Sequence, residues 1–513
     1  MKYIYITTPI YYVNAKPHIG HAYTTVACDV FARFYRMLGY SVKFCTGTDE
    51  HGKKIEQSAT QAKIEPQKFV DTIAQLFKDL LPILNISNDD FIRTTQERHK
   101  KTVKHFWNIL EDKGYIYLGE YSGWYDMRNE AYFSEDELID GKSPLGGEVQ
   151  YMTEPCYFFK LSEFGDKLLK FYEENPDFIF PAQKKNEVIS FIKQGLKDLA
   201  VSRATFNWGV QVPNDLKHVV YVWLDALTNY LTVNGYPDNE DQNNDKYWQT
   251  VHHFVGKEIV RFHALYWPAF LMAAGINPPK RIVSHGWWLS EGEKMSKSLG
   301  NVQDPKKYCE LFGSDALRYF MLRELSFGSD GNFSLEGFIN RHNSVLANAY
   351  GNLCKRTLSF IQKHCGGTVK RPETLTSEDS SFIGDVDASL SEAIPLMEQY
   401  AFSKYLERIE QAISLANQYI DYQKPWSIKE SDPKRMQNIL FILLEQIFKI
   451  TKFFYPIIPI AAKKVLTQIN APYELKIVFG EKIPDIVTIN EPETLFPKIE
   501  TTELEKLDVF AND

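Results

Sequence analysis

The chain is poor in cysteine, has no closely spaced cysteine pair and carries no excess of positive charge. Its six cysteines, Cys28, Cys45, Cys156, Cys309, Cys354 and Cys365, stand no closer than eleven positions apart, and no C-x2-C occurs. That spacing argues against a zinc knuckle and against a disulfide framework, and leaves reduced, buried thiols. No window holds a long uninterrupted apolar run. The richest, 439–454, is broken by Glu445, Gln446, Lys449 and Lys452, so no membrane span is expected. The start, MKYIYITTPIYY, lacks the basic leader, apolar run and cleavage site of a secretory signal, and a cytoplasmic protein is expected. A formal charge of −8 excludes a uniformly basic nucleic-acid packager but not a local nucleic-acid footprint.

What is present is enough for several packed domains: 513 residues, 44 % apolar and 24 % charged, with 34 Phe and 29 Tyr. YIYITTP at 3–9 reads as a buried strand. A helix follows from HIGH, with Val26, Val30, Phe34 and Met37 on one stripe and Gly39 at its end. SVKFCTGT reads as a second strand. A β-α-β unit so early predicts a parallel sheet. Helices are expected at about 66–82 and 97–113. From Gly114 to about Val210 short strands and turns alternate, with a Lys-rich helix near 186–200, which reads as an inserted domain. The α/β pattern returns at HVVYVWLDALTNYL, HHFVGKEIVRFHALYWPAFLMAAG and KRIVSHGWWL. Beyond about 335 strands give way to helical periodicity, as in Phe402, Tyr405, Leu406, Ile409 and Ile413, and a helical bundle is expected. The partition predicted is 1–113 and 211–290 for the two halves of a Rossmann-type α/β catalytic domain and 114–210 for the insertion. A region at 291–340 that begins with a Gly-bounded polar loop, a helical domain at 341–475 and an irregular tail at 476–513 complete it.

Three segments carry chemistry. Pro17-His18-Ile19-Gly20-His21 sits where the first strand hands over to the first helix, whose unpaired N–H groups and partial positive charge suit an anion. His18 and His21, three apart, project from one face, and Gly20 leaves room for a nucleotide close to the backbone. Glu293-Lys294-Met295-Ser296-Lys297-Ser298 lies between Gly292 and Gly300 and can close two ammonium groups on a pyrophosphate leaving group. The bland alternatives are a histidine-capped helix and a solvated loop. The third segment, Gly47 to Lys54, has phosphate-loop spacing, but Lys54 replaces the required Ser or Thr, and Asp49 and Glu50 would repel phosphate. Asp49 at a strand's C-terminal edge suits a substrate ammonium better.

HIGH after the first strand and KMSKS after a late one resemble a class I aminoacyl-tRNA synthetase. The stretches TTPIYYVNAKPHIGHAYTT, TGTDEHG, YVWLDALTNY, GKEIVRFHALYWPA, HGWWLSEGEKMSKSLGN, NLCKR and KPW make the methionyl-tRNA synthetase family the specific resemblance, over nearly the whole chain. The resemblance implies that His18, Gly20 and His21 bind ATP together with Lys294, Ser296 and Lys297. His18, His21, Lys294 and Lys297 would be the catalytic groups, and Mg2+ would accompany the nucleotide. It implies a methionine pocket of Ile10, Tyr12, Asp49, Trp223, Ala226, Tyr230, His263 and Trp267, with Asp49 taking the α-ammonium and Tyr12 or His263 offering the sulfur a hydrogen bond. Aromatic faces suit a polarisable thioether. Asn352, Arg356 and Trp426 would read the anticodon of tRNA(Met), the initiator included, by stacking and edge hydrogen bonds.

The insertion departs from that pattern. Where relatives carry cysteine zinc knuckles, this chain has Asp126, Asn129, Ser143 and Gly146, so no structural zinc is expected and the knuckle is expected to hold by packing alone. No further tRNA-binding or dimerisation module is seen, which predicts a monomer. Three alternatives stand beside the methionine ligase. The first is a leucine, isoleucine or valine enzyme, for whose editing domain the insertion has no room, or a cysteine enzyme, whose zinc ligands are missing. The second is a catalytically silent tRNA binder, and the third a small-metabolite nucleotidyltransferase.

Overall fold

The structure, a computed structural model, describes residues 2–127, 131–133, 135–144, 146–238, 243–290, 292–295, 303–471, 474–478 and 480–500. The chain divides into two units. One comprises Met1–Cys28, Ser41–Pro82 and Ile86–Gly286; the other comprises Asp29–Tyr40, Ile83–Asn85 and Trp287–Asp513.

The first unit is built on a six-stranded sheet in which every pairing is parallel. β1 (Tyr3–Tyr12) lies between β2 (Ser41–Asp49) and the strand Val251–Gly256. β3 (Asp90–Arg93) extends the sheet beyond β2, and Arg281–His285 and Ile179–Phe180 extend it on the other side. Alternate aromatic and β-branched residues let β1 bury both faces, as a parallel strand must. Gly47 in β2 is required by a close approach: a Cβ there would stand 2.1 Å from the carbonyl oxygen of Ile92 in β3. The core beneath the sheet gathers Tyr5, Trp107, Phe159, Trp267 and Phe270, all fully buried. Burying each such side chain contributes roughly 1.5–3 kcal/mol.

α1 (Ile19–Met37) follows β1, as the periodicity predicts, but it is not amphipathic in place: every residue from Ala22 to Phe34 is buried. The single stripe underestimates its enclosure because Thr24, Thr25, Asp29 and Arg33 are also inside, each hydrogen-bonded. The helices expected near 66–82 and 97–113 run Pro66–Ile83 and Glu97–Asp112. The Lys-rich helix is displaced from its expected place to Ala182–Lys193, starting after Pro181 and stopping before Gly195 (φ +95°).

Within the same unit a second sheet is antiparallel, in the order Ala131–Phe133, Ile116–Asp126, Val149–Phe159, Leu199–Ala200. At its end the knuckle is not held by packing alone. The Ser143 hydroxyl donates to the buried carboxylate of Asp126 and accepts from the Gly147 N–H at 3.0 Å, and Ser143 N–H donates to the Gly147 carbonyl at 2.9 Å. A Cβ on Gly147 would strike Asp126 at 2.2 Å. Gly146 takes φ +78° in this turn, and Asn129 lies outside the described residues. Hydrogen bonds join the strand end to the turn through the side chains of Asp126 and Ser143. Among the described residues no group of three or more His, Cys, Asp or Glu side chains could hold a metal ion.

The second unit is mainly helical. Phe402–Gln423 and Pro433–Phe454 carry its longest apolar faces, packed with Ser377–Glu398, Asn352–His364 and Pro459–Ile469. Strands do not vanish here, and the described part of the segment read as an irregular tail contributes one. Ile486–Thr488 pairs antiparallel with Thr368–Lys370. Arg371 clamps that pair, reaching Asp485 at 2.7 Å and Glu445 at 2.9 Å. Asn343 exchanges two 2.9 Å hydrogen bonds with the backbone of Ile499. These pairings cross more than seventy residues, so no local pattern announces them.

Candidate active site

β1 and β2 end side by side, with Ile10 opposite Gly47 and Tyr12 opposite Asp49. The turn after β1 leads into α1, and its two histidines fold onto each other: the rings of His18 and His21 lie 3.9 Å apart at 38°. The His18 N–H donates to Nδ1 of His21, and the Gly20 N–H donates to Nδ1 of His18, both at 3.1 Å. A nitrogen that accepts carries no proton, so each neutral ring bears its hydrogen on Nε2. Burial, and secondarily the neighbouring His18, holds the His21 pKa well below the ordinary histidine value, which keeps the ring neutral. Tyr11 and Phe77 meet His21 edge-on at 4.8 and 5.1 Å and fix its plane. Two N–H donors thus stand at the mouth of a helix whose dipole favours an anion. Gly20 is the residue that permits the fold-back: a Cβ there would lie 2.9 Å from Cε1 of His18.

The residues predicted for methionine all lie in the same unit, Ile10, Trp223, Tyr230 and Trp267 within one hydrophobic cluster and Tyr12 against another. Helix Val222–Val233 carries Trp223, Ala226 and Tyr230, and a π-helical turn, Phe262–Tyr266, carries His263. Trp223 is half-buried and stacks on Phe262 at 3.6 Å with the planes 7° apart. Ala226, Tyr230, His263 and Trp267 are buried, and the Tyr230 ring lies 5.7 Å from His263 and 6.1 Å from Trp267. The polar tips of the pair are already engaged. His263 Nδ1–H donates to the Ile259 carbonyl at 2.9 Å, so its Nε2 accepts, and the Tyr230 hydroxyl donates to it at 2.7 Å. His263 therefore has no N–H left for a sulfur, which corrects half of the hydrogen-bond expectation. Burial lowers its pKa to about 4. Tyr12 is half-buried beside Tyr11 and Val13, and Asp49 is almost wholly buried.

Groups that the sequence does not announce pack against these residues. Phe262 is one. His253 is another: buried, hydrogen-bonded through Nδ1 to Thr7 at 2.8 Å, its ring only 4.0 Å from that of Tyr230. The loop after β2 is tied on both sides of Asp49. Glu50, read as a repellent of phosphate, is fully buried and takes Arg93 at 2.7 and 3.0 Å and the Thr48 hydroxyl at 2.6 Å. His51 reaches Asp225 at 2.6 Å. A lone His or Asp in an apolar run gives no signal of a partner 174 residues away.

The remaining predicted residues lie in the second unit. Glu293–Lys294 forms a short hairpin with Trp288–Ser290, which places the Lys294 backbone; its side chain, Ser296 and Lys297 lie outside the described residues. Asn352 opens helix Asn352–His364 and is exposed. Arg356, one turn on, is half-buried and reaches Asp421 at 2.8 Å and Asn417 at 3.2 Å. Trp426 stands 40 % exposed on the four-residue helix Pro425–Ile428, unusual for so large a ring and suited to stacking.

A family model described as class I tRNA synthetases (M) matches residues 4–153 and 134–358, and one described as the anticodon binding domain of methionyl tRNA ligase matches 369–511. The methionine–tRNA ligase of Rickettsia felis is 50 % identical over 507 residues, covering 97 % of this chain and 98 % of that protein. That of Mesorhizobium japonicum is 45 % identical over 509 residues, covering 96 % and 97 %. Among solved structures, Mycobacterium tuberculosis methionyl-tRNA synthetase in complex with methionyl-adenylate superposes with a TM-score of 0.93 at 41 % identity, covering 97 % of this chain and all of that one. Its apo form gives 0.87 at 40 % identity, covering 98 % and 99 %.

Proposed function

This chain belongs to the methionyl-tRNA synthetase family of class I and its activity is that of a methionine–tRNA ligase; we propose that it works through the residues that the resemblance assigns. ATP enters with Mg2+ on its phosphate oxygens, as part of the nucleotide substrate. A carboxylate oxygen of L-methionine attacks the α-phosphorus in line, the bond to the bridging oxygen breaks, and pyrophosphate leaves. His18 and His21 donate Nε2–H to the oxygens on which charge builds, and Lys294 and Lys297 supply two ammonium groups to the same leaving group. No side chain forms a covalent bond; the chain contributes position and charge stabilisation. The terminal ribose hydroxyl of tRNA(Met) then attacks the methionyl carbonyl, and AMP departs.

The observation that supports this reading best is the stacked pair His18–His21, with each Nδ1 occupied by a backbone N–H. Methionine is assigned to Ile10, Tyr12, Asp49, Trp223, Ala226, Tyr230, His263 and Trp267, with the α-ammonium on Asp49. Asn352, Arg356 and Trp426 are assigned to the anticodon of initiator and elongator tRNA(Met). The reading also takes the protein as a cytoplasmic monomer without structural zinc, divided at 113, 210, 290, 340 and 475. It is consistent with this that no helix among the described residues is long and apolar enough to cross a membrane. The test is ATP–pyrophosphate exchange screened over the twenty amino acids, followed by charging of a tRNA(Met) transcript. Exchange with methionine and charging of that transcript are expected; exchange led by leucine, isoleucine or valine would overturn the assignment.

A further inference from the structure

One buried carboxylate ties together three elements around the pocket. Asp225 sits on helix Val222–Val233, two residues after Trp223 and one before Ala226, and is fully buried. Its Oδ2 meets Nδ1 of His51 at 2.6 Å, and its Oδ1 meets Nε2 of His99, on helix Glu97–Asp112, at 2.7 Å. His51 lies two residues after Asp49. His99 is held from its other nitrogen by Thr232 at 3.2 Å, on the same helix as Asp225. The backbone beside His51 is fastened as well: Trp208 donates its ring N–H to the Glu50 carbonyl at 2.6 Å, and Gly52 N–H donates to the Trp208 carbonyl at 3.0 Å.

We propose that Asp225 and His51 are positioning residues for the amino acid: their hydrogen bond fixes the separation between the carboxylate of Asp49 and the aromatic wall led by Trp223. The inference rests on the assignment of Asp49 and Trp223 to methionine. A ligand that must satisfy an ammonium site and a side-chain site at once is sensitive to the distance between them, because a displacement of about an ångström forfeits one anchor or strains the other. A ligand that uses only one anchor is not. The buried carboxylate accepts from two imidazoles, so neither histidine can turn without leaving an oxygen unpaired.

Three ligands separate positioning from a general structural role: methionine, ATP, and 4-(methylthio)butanoate, which has the side chain and carboxylate of methionine but no ammonium. His51→Leu removes the donor to Asp225, whereas His51→Asn keeps an N–H near the position of Nδ1. In ATP–pyrophosphate exchange His51→Leu is expected to raise the KM for methionine about tenfold or more, leaving the KM for ATP and the inhibition constant of the analogue within about twofold. His51→Asn is expected to bring the KM for methionine back to within about threefold of the unaltered chain. A KM for methionine that does not move in His51→Leu, or that moves together with the values for ATP and the analogue, overturns the inference. Should His51→Leu be insoluble, His51→Gln carries its amide one carbon too far and is read against the same outcomes. Absence of methionine-dependent exchange in the unaltered chain would overturn the pocket assignment and this inference together. Normal exchange there, with an unmoved variant, overturns the inference alone.

Discussion

The Tyr230 hydroxyl donates to Nε2 of His263 across 2.7 Å, and the backbone carbonyl of Ile259 fixes the direction of that bond by accepting from Nδ1–H. Removing the hydroxyl leaves a buried acceptor without a donor, which costs roughly 1–3 kcal/mol. Tyr230→Phe is therefore expected to lower the unfolding free energy by about that amount in urea titration while leaving the KM for ATP unchanged. An unaltered unfolding midpoint would show that water replaces the hydroxyl freely.

Gly20→Ala tests the fold-back of the two histidines. The added methyl group would stand 2.9 Å from the His18 ring, so the ring must move off its Gly20 N–H. Misplacing one donor of a preorganised pair is expected to lower kcat for pyrophosphate exchange by about tenfold to a hundredfold, with the KM for methionine within about twofold. Full activity in Gly20→Ala would mean that His18 acts from another position.

The buried histidines make stability depend on acid. His263 falls from its ordinary value of 6.5 to about 4 through burial, and His21 is lowered well below 6.5 by burial and by His18. Their folded-state pKa values lie below the unfolded ones, so between pH 6.5 and 4 the unfolded chain binds more protons. Stability contributed above pH 6.5 is thus lost as pH falls toward 4, by about 1.4 kcal/mol per pH unit for each such group. Denaturant unfolding from pH 7.5 downward is expected to show that slope, and His263→Gln to reduce it by about one proton. A pH-independent unfolding free energy across the window would contradict the burial of these rings.

Trp426→Ala separates the two steps of the reaction. The exposed ring stands in the second unit, and losing one base stack costs about 1–3 kcal/mol. Aminoacylation kcat/KM for tRNA(Met) is expected to fall between about fivefold and a hundredfold, with methionine-dependent exchange unchanged. A parallel fall in exchange would show that the ring serves the catalytic unit.

Much of the first unit was legible because its signals are local. The strand Tyr3–Tyr12, the helix from Ile19 and the strand from Ser41 each announce themselves by composition and period within a few residues. The residues assigned to methionine were legible only as pieces of a resemblance; nothing in the spacing of Tyr12, Trp223 and His263 groups them. Long-range polar contacts were not legible at all. Asp225 with His51, Asp126 with Ser143, and Asn343 with Ile499 join residues whose local sequences read as helix, knuckle and tail. Periodicity reports which face is buried, not which buried polar group meets which. The π-helical turn that presents His263 likewise leaves no periodic trace over five residues.

The most direct test concerns His21, whose Nε2–H is assigned to the departing pyrophosphate. In single-turnover formation of methionyl-adenylate, His21→Asn is expected to lower the rate by about a hundredfold to a thousandfold, because its short amide cannot reach where Nε2 stood. The equilibrium Kd for methionine, read from tryptophan fluorescence, is expected to stay unchanged. A rate within twofold of the unaltered chain, or a methionine Kd that weakens in step with the rate, would contradict the assignment of the histidine pair to the nucleotide.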